Sequence, residues 1–189
     1  MEQLIKDIKS CSLCAASLPY APNPVFSFVA ESKILIIGQA PGQKVQDSGI
    51  PWKDASGKEL RRWLNVSEEE FYNPKNFAIV PMGFCFPGTA KGGDLPPRPE
   101  CAPKWHTLIH TELKNIQLII LIGQYAQQYY LPKNKKTTLT ENVQHAETFL
   151  PQYFPLVHPS PRNKIWQKRN PWFEFEKVPL LQQLVKSIL

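Results

Sequence analysis

The sequence predicts an α/β fold built on a parallel sheet covered by helices on both faces. Three observations carry that expectation. Short runs that are apolar throughout recur along the chain, as strands buried on both faces require. Stretches with helical spacing of apolar residues separate them. Each run ends at Gly, Pro or His, where the chain turns out of the sheet.

The first run, KILIIG at 33–38, reads as a buried strand followed by a turn. Residues 56–64 then carry Leu60, Trp63 and Leu64 at helical spacing, with Ser56 as the candidate cap. FAIVPM at 77–82 is the second strand, with Pro81 at its end because proline cannot donate to a ladder. Residues 101–113 read as a helix with Pro103 in its first turn. LIILIG at 118–123 is the clearest strand, and a short helix at 124–131 opens just past Gly123. Residues 153–157 form a fourth strand that ends at His158. The last helix, 179–189, gathers Leu180, Leu181, Leu184, Val185 and Ile188 on one face behind Pro179.

The 189 residues suit one domain, with no internal repeat and no second unit. An apolar share of 42% excludes a disordered chain, and the 19 prolines suggest long ordered loops. No apolar run is long enough to span a bilayer. The first nine residues lack the apolar core of a signal peptide, so a cytoplasmic location is expected. With 22 Lys+Arg against 16 Asp+Glu, the formal charge is +6, which permits a polyanionic partner.

Four cysteines stand out. Cys11 and Cys14 form C-x2-C, a spacing that turns two thiolates toward one ion. Cys85 and Cys101 bracket a proline-rich loop that can hold two more sulfurs in place. Four thiolates suit zinc or an iron–sulfur cluster. Four separate thiols, two of them buried, is the competing reading.

Ligands in such sheets bind outside the carboxyl ends of the strands. Two of those ends carry distinctive residues. Gly38-Gln39-Ala40-Pro41-Gly42 is a tight loop with exposed backbone N–H groups, able to approach a base or phosphate closely. It is neither a dinucleotide fingerprint nor a Walker loop. His158-Pro159-Ser160-Pro161-Arg162-Asn163 presents a histidine pinned by prolines, fit to donate a hydrogen bond to charge on a leaving group. After it come Lys164, Lys168 and Arg169, with Trp166, Trp172 and Phe173 interleaved. Cations among aromatics suit a single-stranded or flipped-out nucleic acid. A solvated basic face with its aromatics turned inward explains the same pattern. His106 and His110 read as a polar helix edge, and Lys133, Lys135 and Lys136 as an exposed basic loop.

Together these features resemble the uracil-DNA glycosylase superfamily. GQAPG at 38–42 is similar to its first motif and HPSP at 158–161 to its second, in the right order. The cysteine plan, C-x2-C then C-x15-C, and the stretch 47–52 ending in Trp52 resemble the family 4 enzymes. HPSPRN is closer to the single-strand-selective monofunctional enzymes.

The resemblance implies a three-layer α/β/α sandwich around a four-stranded parallel sheet, acting on single- or double-stranded DNA; a monomer is expected, the sequence carrying no clear oligomerisation signal. It implies hydrolysis of the N-glycosidic bond of a deaminated base, of the uracil or hypoxanthine type, after extrusion from the stack. His158 would stabilise charge on the departing base, Gly38, Gln39, Ala40, Pro41 and Gly42 would contact it, and Trp52 would stack on it. Ser160, Pro161, Arg162 and Asn163 would meet the DNA. Cys11, Cys14, Cys85 and Cys101 would hold a [4Fe-4S] cluster, with zinc as the second choice.

Two departures stand out. Several families place Asp or Asn at the position of Ala40 to position the attacking water; Asp47 is the nearest downstream substitute. Many relatives also read the base with an Asn after the second strand, where this chain has Pro81, Met82 and Gly83. A catalytically silent nucleic-acid-binding module on the same fold is therefore the second reading. A metal-stabilised fold with a different enzymatic role is the third.

Overall fold

A computed structural model describes residues 1–132 and 138–189. The basic run Lys133, Lys135 and Lys136 lies outside the described residues. Four strands form one parallel sheet: β1 (Ile34–Ile37), β2 (Phe77–Ile79), β5 (Leu118–Ile122) and β6 (Tyr153–Leu156). Their order is β2-β1-β5-β6. The chain steps outward from β1 to β2, returns to the other side of β1 at β5, and continues to β6. That reversal makes a topological switch point beside β1. A small antiparallel hairpin, β3 (Thr89–Ala90) and β4 (Gly93–Asp94), stands apart from the sheet.

Alternation along each strand builds two cores. Ile34 and Ile36 of β1, with Ile120 and Ile122 of β5, face one side. There they meet Leu60, Trp63 and Leu64 of α3 (Ala55–Leu64) and Leu181 and Val185 of α9 (Val178–Ile188). Leu35, Ile37, Ile119 and Leu121 face the other side. There they meet Ile8 of α1 (Glu2–Lys9), Trp105 and Ile109 of α5 (Cys101–Glu112), and Ala126 of α6 (Gln124–Tyr130). The result is the three-layer α/β/α sandwich the sequence predicts. No helix among the described residues is long and apolar enough to cross a membrane.

Some local expectations change. The cap of α3 is Asp54, not Ser56: the Asp54 carboxylate accepts from the Gly57 N–H at 2.8 Å, and Ser56 is buried in the first turn. Helices α2 (Gln43–Ser48), α4 (Glu68–Tyr72), α7 (Leu139–Gln144) and α8 (Lys164–Arg169) are too short for periodicity to show.

His106 and His110 do not edge the helix. They turn into a buried relay with Tyr130 of α6. The Pro81 carbonyl can only accept, so His106 donates to it from Nε2 (3.1 Å). His106 Nδ1 then accepts from the Tyr130 hydroxyl, which accepts from His110 Nε2 at 3.0 Å. Burial pushes His106 down to about 4.

A folded-state value below the ordinary 6.5 makes this stability complete above 6.5 and lost as pH falls toward 4. The shift corresponds to about 3 kcal/mol. Melting curves from pH 7.5 to 4.5 are expected to show that acid limb, and His106→Gln to flatten it. An unchanged limb in the variant would assign acid sensitivity to other groups.

Candidate active site

Each element of the site is held by its own backbone. β1 ends at Ile37, and the loop 38–42 leaves the sheet at the switch point. The Gly38 carbonyl accepts from the Met82 N–H at 2.8 Å and the Gln39 carbonyl from the Gly83 N–H at 3.0 Å. The first motif is thereby stapled to the exit of β2. The Gln39 side chain donates to the Leu95 carbonyl at 3.0 Å, tying the loop to the hairpin as well.

Across the opening, β6 delivers His158. The Asn163 amide donates to the His158 carbonyl at 2.7 Å, and the Ser160 hydroxyl accepts from the Arg162 N–H at 3.2 Å. These bonds close the second motif into a single turn. Asn163 thereby holds the turn that carries His158. Arg162 reaches across to the Gly92 carbonyl at 3.4 Å, so it spans the mouth between the second motif and the hairpin.

Trp52 fills the side between them. Its ring lies 5.5 Å from that of His158, tilted by 33°. Its backbone has φ 57°, in the left-handed region, held by the start of α3. Two glycines give it room. A Cβ on Gly57 would fall 1.7 Å from the Trp52 carbonyl oxygen, and one on Gly38 would fall 3.0 Å from the indole edge.

These groups enclose a cavity of about 470 Å³. Gly38, Gln39, Ala40, Pro41 and Gly42 form one wall, Trp52 and His158 another, and residues of the 89–94 hairpin a third. The volume is that of a small-molecule site. Burial pushes the His158 imidazole below the ordinary histidine value, while the charges of Asp54 and Asp94 pull the other way. Its neutral form therefore prevails at neutral pH, with an N–H to donate.

Asp47 does not belong to this cavity. It sits on the exposed face of α2, where its carboxylate accepts from the Gln43 amide at 2.7 Å. The carboxylates that do line the cavity are Asp54 and Asp94. Nothing in the motifs points to Asp94. The glycines Gly88, Gly92 and Gly93 around it were the available turn signal.

A family model described as the uracil DNA glycosylase superfamily matches residues 26–182, well over half of the chain. The protein belongs to the uracil DNA glycosylase superfamily. Both motif loops of this superfamily member fall inside the matched span and face one cavity.

A second groove continues from the mouth past Ser160. Lys58 and Arg62 of α3 and Lys164 of α8 line it. Arg62 is held by Glu59 at 2.7 Å and Glu174 at 2.6 Å, and those carboxylates raise its pKa. Lys58 and Lys164 make no ion pair among the described residues. Trp166, Trp172 and Phe173 turn toward the core rather than forming a stacking surface. Trp166 and Trp172 pack on the core around buried Phe173, and the Trp166 N–H donates to Thr140 at 2.9 Å.

The four cysteines line one small separate cavity, floored by Gly83 and Phe84. The Phe84 N–H donates to Cys101 Sγ at 3.4 Å. Burial first, then the neighbouring thiols, pushes Cys85 up to about 11 and Cys101 up to about 12. Arg98 lines the same cavity, and its Nε is buried with no partner. No three of the described His, Cys, Asp or Glu side chains close on a single metal ion.

The Gly57 contact gives a direct test. Forcing a methyl against backbone costs about 1–3 kcal/mol, so Gly57→Ala is expected to lower the melting temperature by several degrees. Trp52, pushed from the cavity wall, is expected to change its fluorescence. Unaltered melting and emission would show that the Trp52 carbonyl is free to step aside.

Proposed function

We infer that this chain is a monofunctional DNA glycosylase that hydrolyses the N-glycosidic bond of a deaminated base. The observation that carries the reading is neutral His158 beside Trp52, facing the 38–42 loop across a cavity of about 470 Å³. A base taken out of the stack enters against the Trp52 ring. As the glycosidic bond breaks, its electron pair moves onto the base. The His158 N–H donates to that developing charge, and burial strengthens the interaction. A neutral imidazole suits this role because it has already lost the proton that would otherwise be transferred. The backbone of Gln39 and Ala40 bounds the base on the opposite side. Lys58 and Lys164 offer charge to the phosphates along the adjoining groove.

Cys11, Cys14, Cys85 and Cys101 fit a four-iron, four-sulfur cluster. All four line one cavity, an amide already donates to one sulfur, and Arg98, whose Nε has no partner, lines the same cavity. A cubane holds its thiolates apart on separate irons, whereas zinc draws them to about 2.3 Å from one ion. Bound there, the cluster supplies no chemistry at the base but clasps the two ends of the segment that carries the hairpin.

A silent binding module remains the second reading, favoured by the Ala40 methyl in the cavity wall. Oligonucleotides carrying uracil, hypoxanthine or xanthine, incubated with the protein and then treated with alkali, separate the two. Strand breaks at one lesion are expected, reduced about a hundredfold or more by His158→Ala. Borohydride trapping of a covalent adduct would exclude the water-using mechanism. No break at any lesion, with undamaged strands bound equally well, would establish the binding module.

The cluster has its own test. Iron and acid-labile sulfide are expected in stoichiometric amounts, and Cys85→Ser is expected to lower the melting temperature before it slows base release. A metal-free protein of full stability would refute the assignment.

A further inference from the structure

Hydrolysis needs a group that orients water, and the Ala40 methyl provides none. Two carboxylates line the cavity. Asp54 caps α3: one of its oxygens accepts from the Gly57 N–H at 2.8 Å. The Asp94 carboxylate accepts no hydrogen bond and makes no ion pair among the described residues.

The position of Asp94 is fixed from both sides. It ends β4, paired across the hairpin with Thr89. The next residue, Leu95, donates its N–H to the Gly88 carbonyl at 2.8 Å and accepts from the Gln39 side chain at 3.0 Å. An oxygen of Asp94 stands 3.2 Å from where a Cβ of Gly42 would lie. The glycine that closes the first motif therefore admits the carboxylate beside the 38–42 loop. Asp94 is also exposed at the rim, whereas Trp52 and His158 form a more enclosed wall. A base seated on that wall leaves its sugar at the rim, where the attacking water must arrive.

We propose that Asp94 supplies the carboxylate that activates the attacking water, in place of the side chain missing at Ala40. The inference rests on the glycosylase reading above. The bond from the sugar C1′ to the base nitrogen breaks, and its electron pair leaves with the base under the His158 hydrogen bond. The water oxygen bonds to C1′, and one water proton passes to the Asp94 carboxylate. The departed base takes up a proton from solvent. In the dissociating state, the anionic carboxylate also faces the positive charge that develops on the sugar. Its charge already reaches His158 across the cavity.

The test compares wild type, Asp94→Asn and Asp94→Glu. Three readouts are needed: single-turnover release of the base that wild type excises, affinity for an oligonucleotide with a stable abasic analogue, and thermal melting. Asp94→Asn is expected to slow release about a hundredfold or more, with affinity and melting within about threefold and a few degrees of wild type. Asp94→Glu is expected to recover part of the rate. Wild-type release by Asp94→Asn, or a loss of rate matched by a loss of affinity or of melting temperature, would overturn the proposal. If wild type itself releases no base, the glycosylase reading fails and this assignment falls with it. The wild-type lane alone tells these failures apart.

Discussion

The segment from Pro81 to Phe84, just past β2, is bonded to three separate parts of the chain: α5, the first motif and Val25. The Pro81 carbonyl accepts from His106, Met82 and Gly83 donate to the first motif, and the Phe84 carbonyl accepts from Val25. The Phe84 N–H reaches Cys101. A buried backbone segment must place its polar groups somewhere, and here two of the placements reach the first motif and Cys101. Gly83 shows how close the fit is. A Cβ there would lie 3.1 Å from the Pro97 side chain and 3.3 Å from the Arg98 backbone. One short strand exit thereby sets the distance between the catalytic cavity and the cysteine cavity.

The second constraint is electrostatic. Two carboxylates, Asp54 and Asp94, share the cavity of His158. Left alone, those anions would favour the imidazolium. Burial outweighs them, and the balance stays below the ordinary histidine value. The cavity thereby holds negative charge without charging the imidazole. Trp52 contributes to that balance by covering one side of the ring. The strained φ of Trp52 and the two glycines under it are the local cost of placing an indole there.

The fold was legible because its signal is dense. A strand such as 118–122 is apolar at every position, since both faces are covered, and no other element reads that way. The motif loops were legible as loops at strand ends, and the structure brings both to one cavity. What was not legible depends on packing across the chain. The Asp47 reading followed sequence proximity to the first motif, but α2 turns that side chain to solvent. Asp94, more than fifty residues past that motif, reaches it because the hairpin folds back. His106 and His110 looked like a polar edge because their partner, Tyr130, lies on another helix. The aromatics after His158 carry no local mark of direction; only the core beneath them turns Trp166 inward.

The hairpin explains how a motif can lose its carboxylate without the cavity losing one. Cys85 and Cys101 bracket it, Gln39 holds its exit, and Arg162 reaches its turn. A two-stranded ribbon this short is not stable alone in water. Its wall of the cavity therefore stands only while those outside anchors hold.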